Sequence, residues 1–287
     1  MRPGVRYLLA PIMLAATAVG TAHGQSAQEV LQHMLDTYVE RSQGVENYTL
    51  VQQVMGFESE LYFEKEMMDG LPVFRLRQSK VGGRVISQPD ADDMGWERMY
   101  QLMPELMQHA EYVGRADAQG FPVHVVAVRN LHEIDFSPLP ESEQADFVPE
   151  TMTLHVDADQ WIVRRAELSG TMIAEGEQHD FTADVAMTDY REVGGMLHPF
   201  LVTVNVQGLA EAMGMDSEKM AELQQQLEAA KKQMEQMPEA QRKMMEDMMQ
   251  QQMANLEQML EGDGEGGMTI EVQAKELLVN SGPPGGE

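Results

Sequence analysis

The side chains best suited to chemistry in this sequence are methionines, histidines and carboxylates. From 231 to 253 the chain reads KKQMEQMPEAQRKMMEDMMQQQM, and Met244, Met245, Met248, Met249 and Met253 fall on adjacent stripes of a helix. Thioethers there fill the irregular gaps of a packed helical hairpin, or offer a soft apolar surface to a partner. They are also ligands that select Cu(I), and they are oxidisable. No Cys or His adjoins them, so a copper site ranks behind the hairpin core and the partner surface, and no metal or other cofactor is expected. His124, His132, His155, His179 and His198 show no H-E-x-x-H or comparable ligand spacing. Asp90, Asp92 and Gly95 echo a calcium loop, but Met94 stands at a ligand position and Gln101 replaces the terminal Glu. Those aspartates fit a helix start, with Asp92 or Asp93 as N-cap. The sequence contains no nucleophile elbow, phosphate loop, dinucleotide fingerprint or cysteine. Nucleophilic catalysis has no candidate, and the chain reads as a non-enzyme.

The elements that carry these residues begin with a secretory signal at 1–24. Arg2 and Arg6 precede the apolar run LLAPIMLAATAV, and Ala22-His23-Gly24 supplies small residues before Gln25. The expected location is the periplasm. No cysteine follows the run to take a lipid anchor, and without cysteines the fold must depend on its core. The formal charge is -27, and removal of Arg2 and Arg6 with the signal makes it -29. Such a field disfavours nucleic acid and anionic membrane surfaces.

SAQEVLQHMLDTYVERSQGV places Val30, Leu31, Met34, Leu35 and Tyr38 at helical intervals, with Ser26 as N-cap and Gly44 as stop. From Asn47 the period changes to two, and a meander of antiparallel strands follows, broken by a helical excursion near Pro104 and an acidic, proline-bearing loop over 137–149. After 208 a heptad-like stripe, Met220, Leu223, Leu227, Ala230, Met234 and Met237, runs up to Pro238, and a second stripe follows it. The expected organisation is 25–208 as the main unit and 209–267 as an inserted helical hairpin, with 268–287 as a last strand and tail.

Several phrases in this order resemble the LolA/LolB-like family of periplasmic lipoprotein-sorting proteins. VLQHMLDTYVERSQGVENYTLVQQV is similar to that family's opening helix and first strand, and YVGRADAQGFPVHVVAV to one of its hairpins. TLHVDADQWIVRRAELSG, DYREVGGMLHPFLVTVNVQG and KELLVNSGPP are similar to its later strands, while the insertion departs from the simple carrier. The resemblance implies an α+β fold: a curved antiparallel sheet forming an unclosed half-barrel, covered by helices, with an apolar cavity for acyl chains of lipid or lipoprotein. Alternation puts Leu61 and Phe63, Phe74 and Leu76, Met152 and Leu154, Phe181 and Val185, and Val202 and Val204 each on one face of their strand, where they line such a cavity or pack on the N-terminal helix as an ordinary core, and Trp161 and Trp96 either rim the cavity or simply pack. An envelope module that acts by contact with an inner- or outer-membrane protein is the alternative, with the Met-rich insertion as its partner surface.

Overall fold

In a computed structural model of the chain, the residues described are 25–54, 56–81, 84–86, 98–134, 145–174, 176–208 and 267–283. The signal segment, Trp96 and the methionine-rich insertion, with Met244, Met245, Met248, Met249 and Met253, lie outside them. Helix α1 spans Ala27–Ser42 and opens on a capping box. The Ser26 hydroxyl accepts from the Glu29 amide at 3.1 Å, while the Glu29 carboxylate accepts from the Ser26 amide at 2.9 Å. At its other end Lys65 donates to the carboxylate of Glu46 at 2.8 Å and reaches the carbonyls of Ser42 and Gln43. An ammonium beside the last carbonyls of a helix offsets their partial negative charge, so Lys65 ties α1 to the sheet.

The strands are β1 (Asn47–Val54), β2 (Phe57–Met68), β3 (Leu71–Val81), β4 (Arg84–Ile86), β5 (Ala110–Ala118), β6 (Phe121–Arg129), β7 (Ala145–Asp157), β8 (Val163–Ala174), β9 (Glu177–Val193), β10 (Met196–Gln207) and β11 (Met268–Val279). They form one antiparallel sheet in the order β4-β3-β2-β1-β11-β10-β9-β8-β7-β6-β5. The chain runs outward from β1 to the β4 edge, passes through the short helices α2 (Arg98–Gln101) and α3 (Met103–Leu106), and resumes at the opposite edge with β5. It then returns strand by strand to β10. The two edge strands do not pair with each other, so the sheet is not closed. A right-handed twist accumulated over so many strands curls such a sheet, which fits an unclosed half-barrel.

Strand β11 completes the centre by pairing with β1 on one side and β10 on the other. Asn280, in the left-handed region at φ 56, latches its end. The Asn280 amide oxygen accepts from Glu46 N at 2.7 Å, and its amide nitrogen donates to Gly44 O at 2.9 Å. Of the expected loop over 137–149, residues 145–149 belong instead to β7, and 137–144 lie outside the described residues. Pro149 is tolerated there because the β7–β8 register shifts between Pro149 and Thr151, where a missing amide costs little.

Candidate functional site

Cross-strand pairing converts the alternation into a surface. Tyr48 pairs with Phe63 and Phe63 with Leu76, while Leu50 pairs with Leu61. Across the centre, Val272 pairs with Val54 and Val202, and Ile270 with Val204. Val204 pairs in turn with Val185, Val185 with Ala166, Ala166 with Leu154, and Leu154 with Val126. Directly opposed residues share a face, so the nominated strand residues all belong to one apolar face. The opposite face carries ion pairs: Arg165 holds Asp184 at 2.7 Å and Glu167 at 2.8 Å, and Arg75 meets Glu66 at 3.0 Å.

The face divides into three apolar clusters. Leu61, Phe63, Phe74 and Leu76 gather with Tyr48, Leu50, Phe200 and Leu277. Met152 and Leu154 pack with Val30, Leu31 and Met34 of α1 and with Met103 and Leu106 of α3, and Trp161 and Val202 border that group. Phe181 and Val204 join Met172, Ala183 and Val206, with the Phe147 ring edge-on to Phe181 at 4.7 Å.

Burial separates the nominated residues further. Phe63, Phe74, Met152, Leu154 and Phe181 are buried, with Leu154 at 0% exposure. They belong to the core. Leu61, Leu76, Trp161, Val202 and Val204 are half-buried, as are Val185, Ile270 and Val272 beside them. Val185 shares its strand face with Phe181, as the alternation indicates, whereas Ile270 and Val272 were missed in the sequence. Their alternation was visible, but membership of one patch depends on β11 lying between β1 and β10.

Trp161 occupies the left-handed region at φ 55, a costly conformation for a bulky residue. Its ring lies between His33, centroid 4.7 Å away, and His124, at 5.4 Å and nearly parallel. His124 is buried and shares a 3.1 Å hydrogen bond with the Tyr112 hydroxyl. The stack joins α1 to β5, β6 and the β7–β8 turn, so its visible role is structural.

The β7–β8 turn is fixed by a buried ion pair. Asp157 accepts from the amides of Asp159 and Gln160, at 2.9 and 2.8 Å, and from Nε and Nη2 of Arg164 at 2.9 Å. Burial pushes the Asp157 carboxyl up, but the two amides and the guanidinium outweigh it and hold it below the ordinary carboxylate value. Arg164 also lies 3.9 Å from the centroid of the Phe121 ring and 4.9 Å from that of Tyr190. Burial raises the Tyr190 hydroxyl, which stays protonated and donates to Val163 O at 2.5 Å.

No family model matches the chain, and no curated protein matches its sequence. Solved structures do. A putative outer membrane lipoprotein-sorting protein domain from Vibrio parahaemolyticus overlaps 90% of this chain and 93% of its own, at 9% identity and TM-score 0.39. A DUF1329 family protein from Desulfovibrio piger overlaps 88% of this chain and 94% of its own, at 10% identity and TM-score 0.38. The lipoprotein LppX of Mycobacterium tuberculosis overlaps 52% of this chain and 90% of its own, at 8% identity and TM-score 0.25. Overlaps this loose equate no residue of one chain with a residue of another, so the site rests on this chain's own geometry.

The titrating groups give the fold a pH dependence. Burial lowers His198 from the ordinary 6.5 to about 4, and burial, with Arg115 nearby, lowers His124. Both are neutral in folded and unfolded chains above pH 6.5, so neither contributes there. As pH falls, the unfolded chain takes up protons first and stability drops, for His198 by roughly 2–3 kcal/mol between pH 6.5 and 4. Urea unfolding at pH 7, 5.5 and 4.5 is expected to show this fall, and His198→Gln to flatten it. Equal slopes for the two proteins would contradict the assignment.

Proposed function

We propose that this chain is an envelope lipid- or lipoprotein-binding carrier that holds acyl chains against the half-buried part of its apolar face. The observation that carries the reading is the patch formed by Val185, Val202, Val204, Ile270 and Val272, which neighbour one another across β9, β10 and β11 of an unclosed sheet, with half-buried Leu61 and Leu76 on the same face. Apolar residues left half-exposed side by side, on the same face as a packed core, have transfer free energy still to gain. An acyl chain laid on them contributes about 0.8 kcal/mol per buried CH₂. The buried cluster beneath α1 gives that patch a rigid border. The signal segment supports export to the periplasm, and the overall acidity supports a ligand recognised by apolar contact rather than a polyanion.

The test is titration of the mature protein with a fluorescent fatty-acid probe. Val202→Asn with Val204→Asn is expected to weaken probe binding at least about tenfold by removing apolar contact. Circular dichroism checks that the variant keeps its sheet, and Val272→Asn serves as a second variant. Unchanged binding in folded variants would sink the proposal.

A second reading, in which the same fold senses an envelope protein by direct contact, is favoured by the exposed Met67 and Met68 at the β2–β3 turn, with Met67 63% exposed. Loss of a partner after Met67→Ser and Met68→Ser, with acyl binding intact, would support it.

A further inference from the structure

Among the described residues, polar groups of both signs share a concavity of the sheet. At the ends of β6 and β7, a cavity of about 470 Å³ is lined by Arg129, Asn130, His132, Val148, Glu150 and Thr151. Its volume is within the range of small-molecule sites. The frame is built from the sheet and the core. Arg129 pairs with Thr151 across the β6–β7 ladder, and the Thr151 hydroxyl meets that of Ser169 at 2.7 Å. Asn130, left-handed at φ 56, turns the chain into the short 3-10 helix Leu131–Glu133, whose Leu131 is fully buried in the main core.

The polar groups at this cavity are largely unused. Arg129 donates through Nε to Glu111 at 3.3 Å, and among the described residues its terminal nitrogens have no partner. The Asn130 amide, the His132 ring and the Glu150 carboxylate likewise have none among those residues.

We propose that this cavity binds a small zwitterion with a phosphate at one end and an ammonium at the other, of the phosphoethanolamine type. The fork of Arg129, with the amide of Asn130 and the ring of His132, supplies donors for phosphate oxygens. Glu150 accepts the ammonium, and the Thr151 hydroxyl adds a neutral polar contact. Each charge selects against the simpler ligand: Glu150 repels a bare phosphate, and Arg129 repels a bare amine. The proposal does not depend on acyl binding by the apolar face, since the two sites share no residue.

Calorimetric titration of the mature protein with O-phosphoethanolamine, inorganic phosphate and ethanolamine tests it. Binding is expected for phosphoethanolamine, at least about tenfold weaker for either fragment, and weakened by a similar factor in Arg129→Gln and in Glu150→Gln. Both side chains are exposed, so melting temperatures should not change. A short-chain phosphatidylethanolamine below its micelle concentration identifies the source. Tighter binding than the free headgroup marks a lipid, and equal binding marks a free solute. No binding at millimolar concentration, phosphate binding as tight as phosphoethanolamine, or variants that bind like the original protein would overturn the proposal. Failure of the fatty-acid probe with phosphoethanolamine binding intact would overturn only the acyl reading.

Discussion

Arg164→Met is expected to lower stability by about 3 kcal/mol, because it leaves the buried Asp157 carboxylate without its countercharge. The two turn amides still bind that carboxylate, which keeps the cost toward the lower end of values for broken buried pairs. The loss includes the contacts of the guanidinium with the Phe121 and Tyr190 rings. Urea unfolding followed by tryptophan fluorescence measures it. Asp157 has a depressed folded value, so its contribution is present above about pH 3.8 and disappears as pH falls through that folded value. The difference between Arg164→Met and the original protein should therefore narrow in acid. Adding Asp157→Asn to Arg164→Met removes the unpaired charge and should recover part of the loss at neutral pH. A gap that stayed constant with pH would show that Arg164 stabilises by packing alone.

Leu154→Ala carries the second large effect, about 2–5 kcal/mol. Leu154 is fully buried between α1 and the sheet, where Val126, Met152 and Leu31 share its cluster. Removing its methyls leaves a cavity that neighbours on three elements cannot all close. Leu154→Glu would place an unpaired charge in the same position and is expected to prevent folding. The contrast with Val204 is informative, since the ladder links the two residues through Val185 and Ala166 on the same face. Thermal melts should show Leu154→Ala losing far more stability than Val204→Ala, while probe binding should follow Val204. The reverse pattern would mean that the patch and the core have been assigned the wrong way round.

Much of the architecture was legible because its causes are local. The S-x-x-E capping box at Ser26 and Glu29 marks the start of α1, and the step from helical spacing to alternation at Asn47 marks the first strand. Asp69-Gly70 and Gln119-Gly120 mark the turns between β2 and β3 and between β5 and β6, and all four residues have positive φ. The position of β11 was less local. It joins β1 and β10 across a long separation in sequence, and no pattern within Met268–Val279 names its neighbours.

Filled and open positions were illegible for a related reason. Leu154 and Val204 alternate alike, but α1 and α3 contribute to the cluster around Leu154, whereas the described members of the cluster beside Val204 are all strand residues. Trp161 read as a rim residue by type. Its left-handed backbone and its place between two histidine rings depend on the β7–β8 turn meeting α1. The cavity at Arg129 carried no motif at all, because its lining comes from both sides of 135–144.

The most direct test of the carrier reading is native mass spectrometry of the mature protein, purified gently from an envelope fraction. An added mass matching a phospholipid or an acylated peptide, lost in Val202→Asn with Val204→Asn, is the predicted result. A bare mass for a folded protein that also refuses the fatty-acid probe would contradict it.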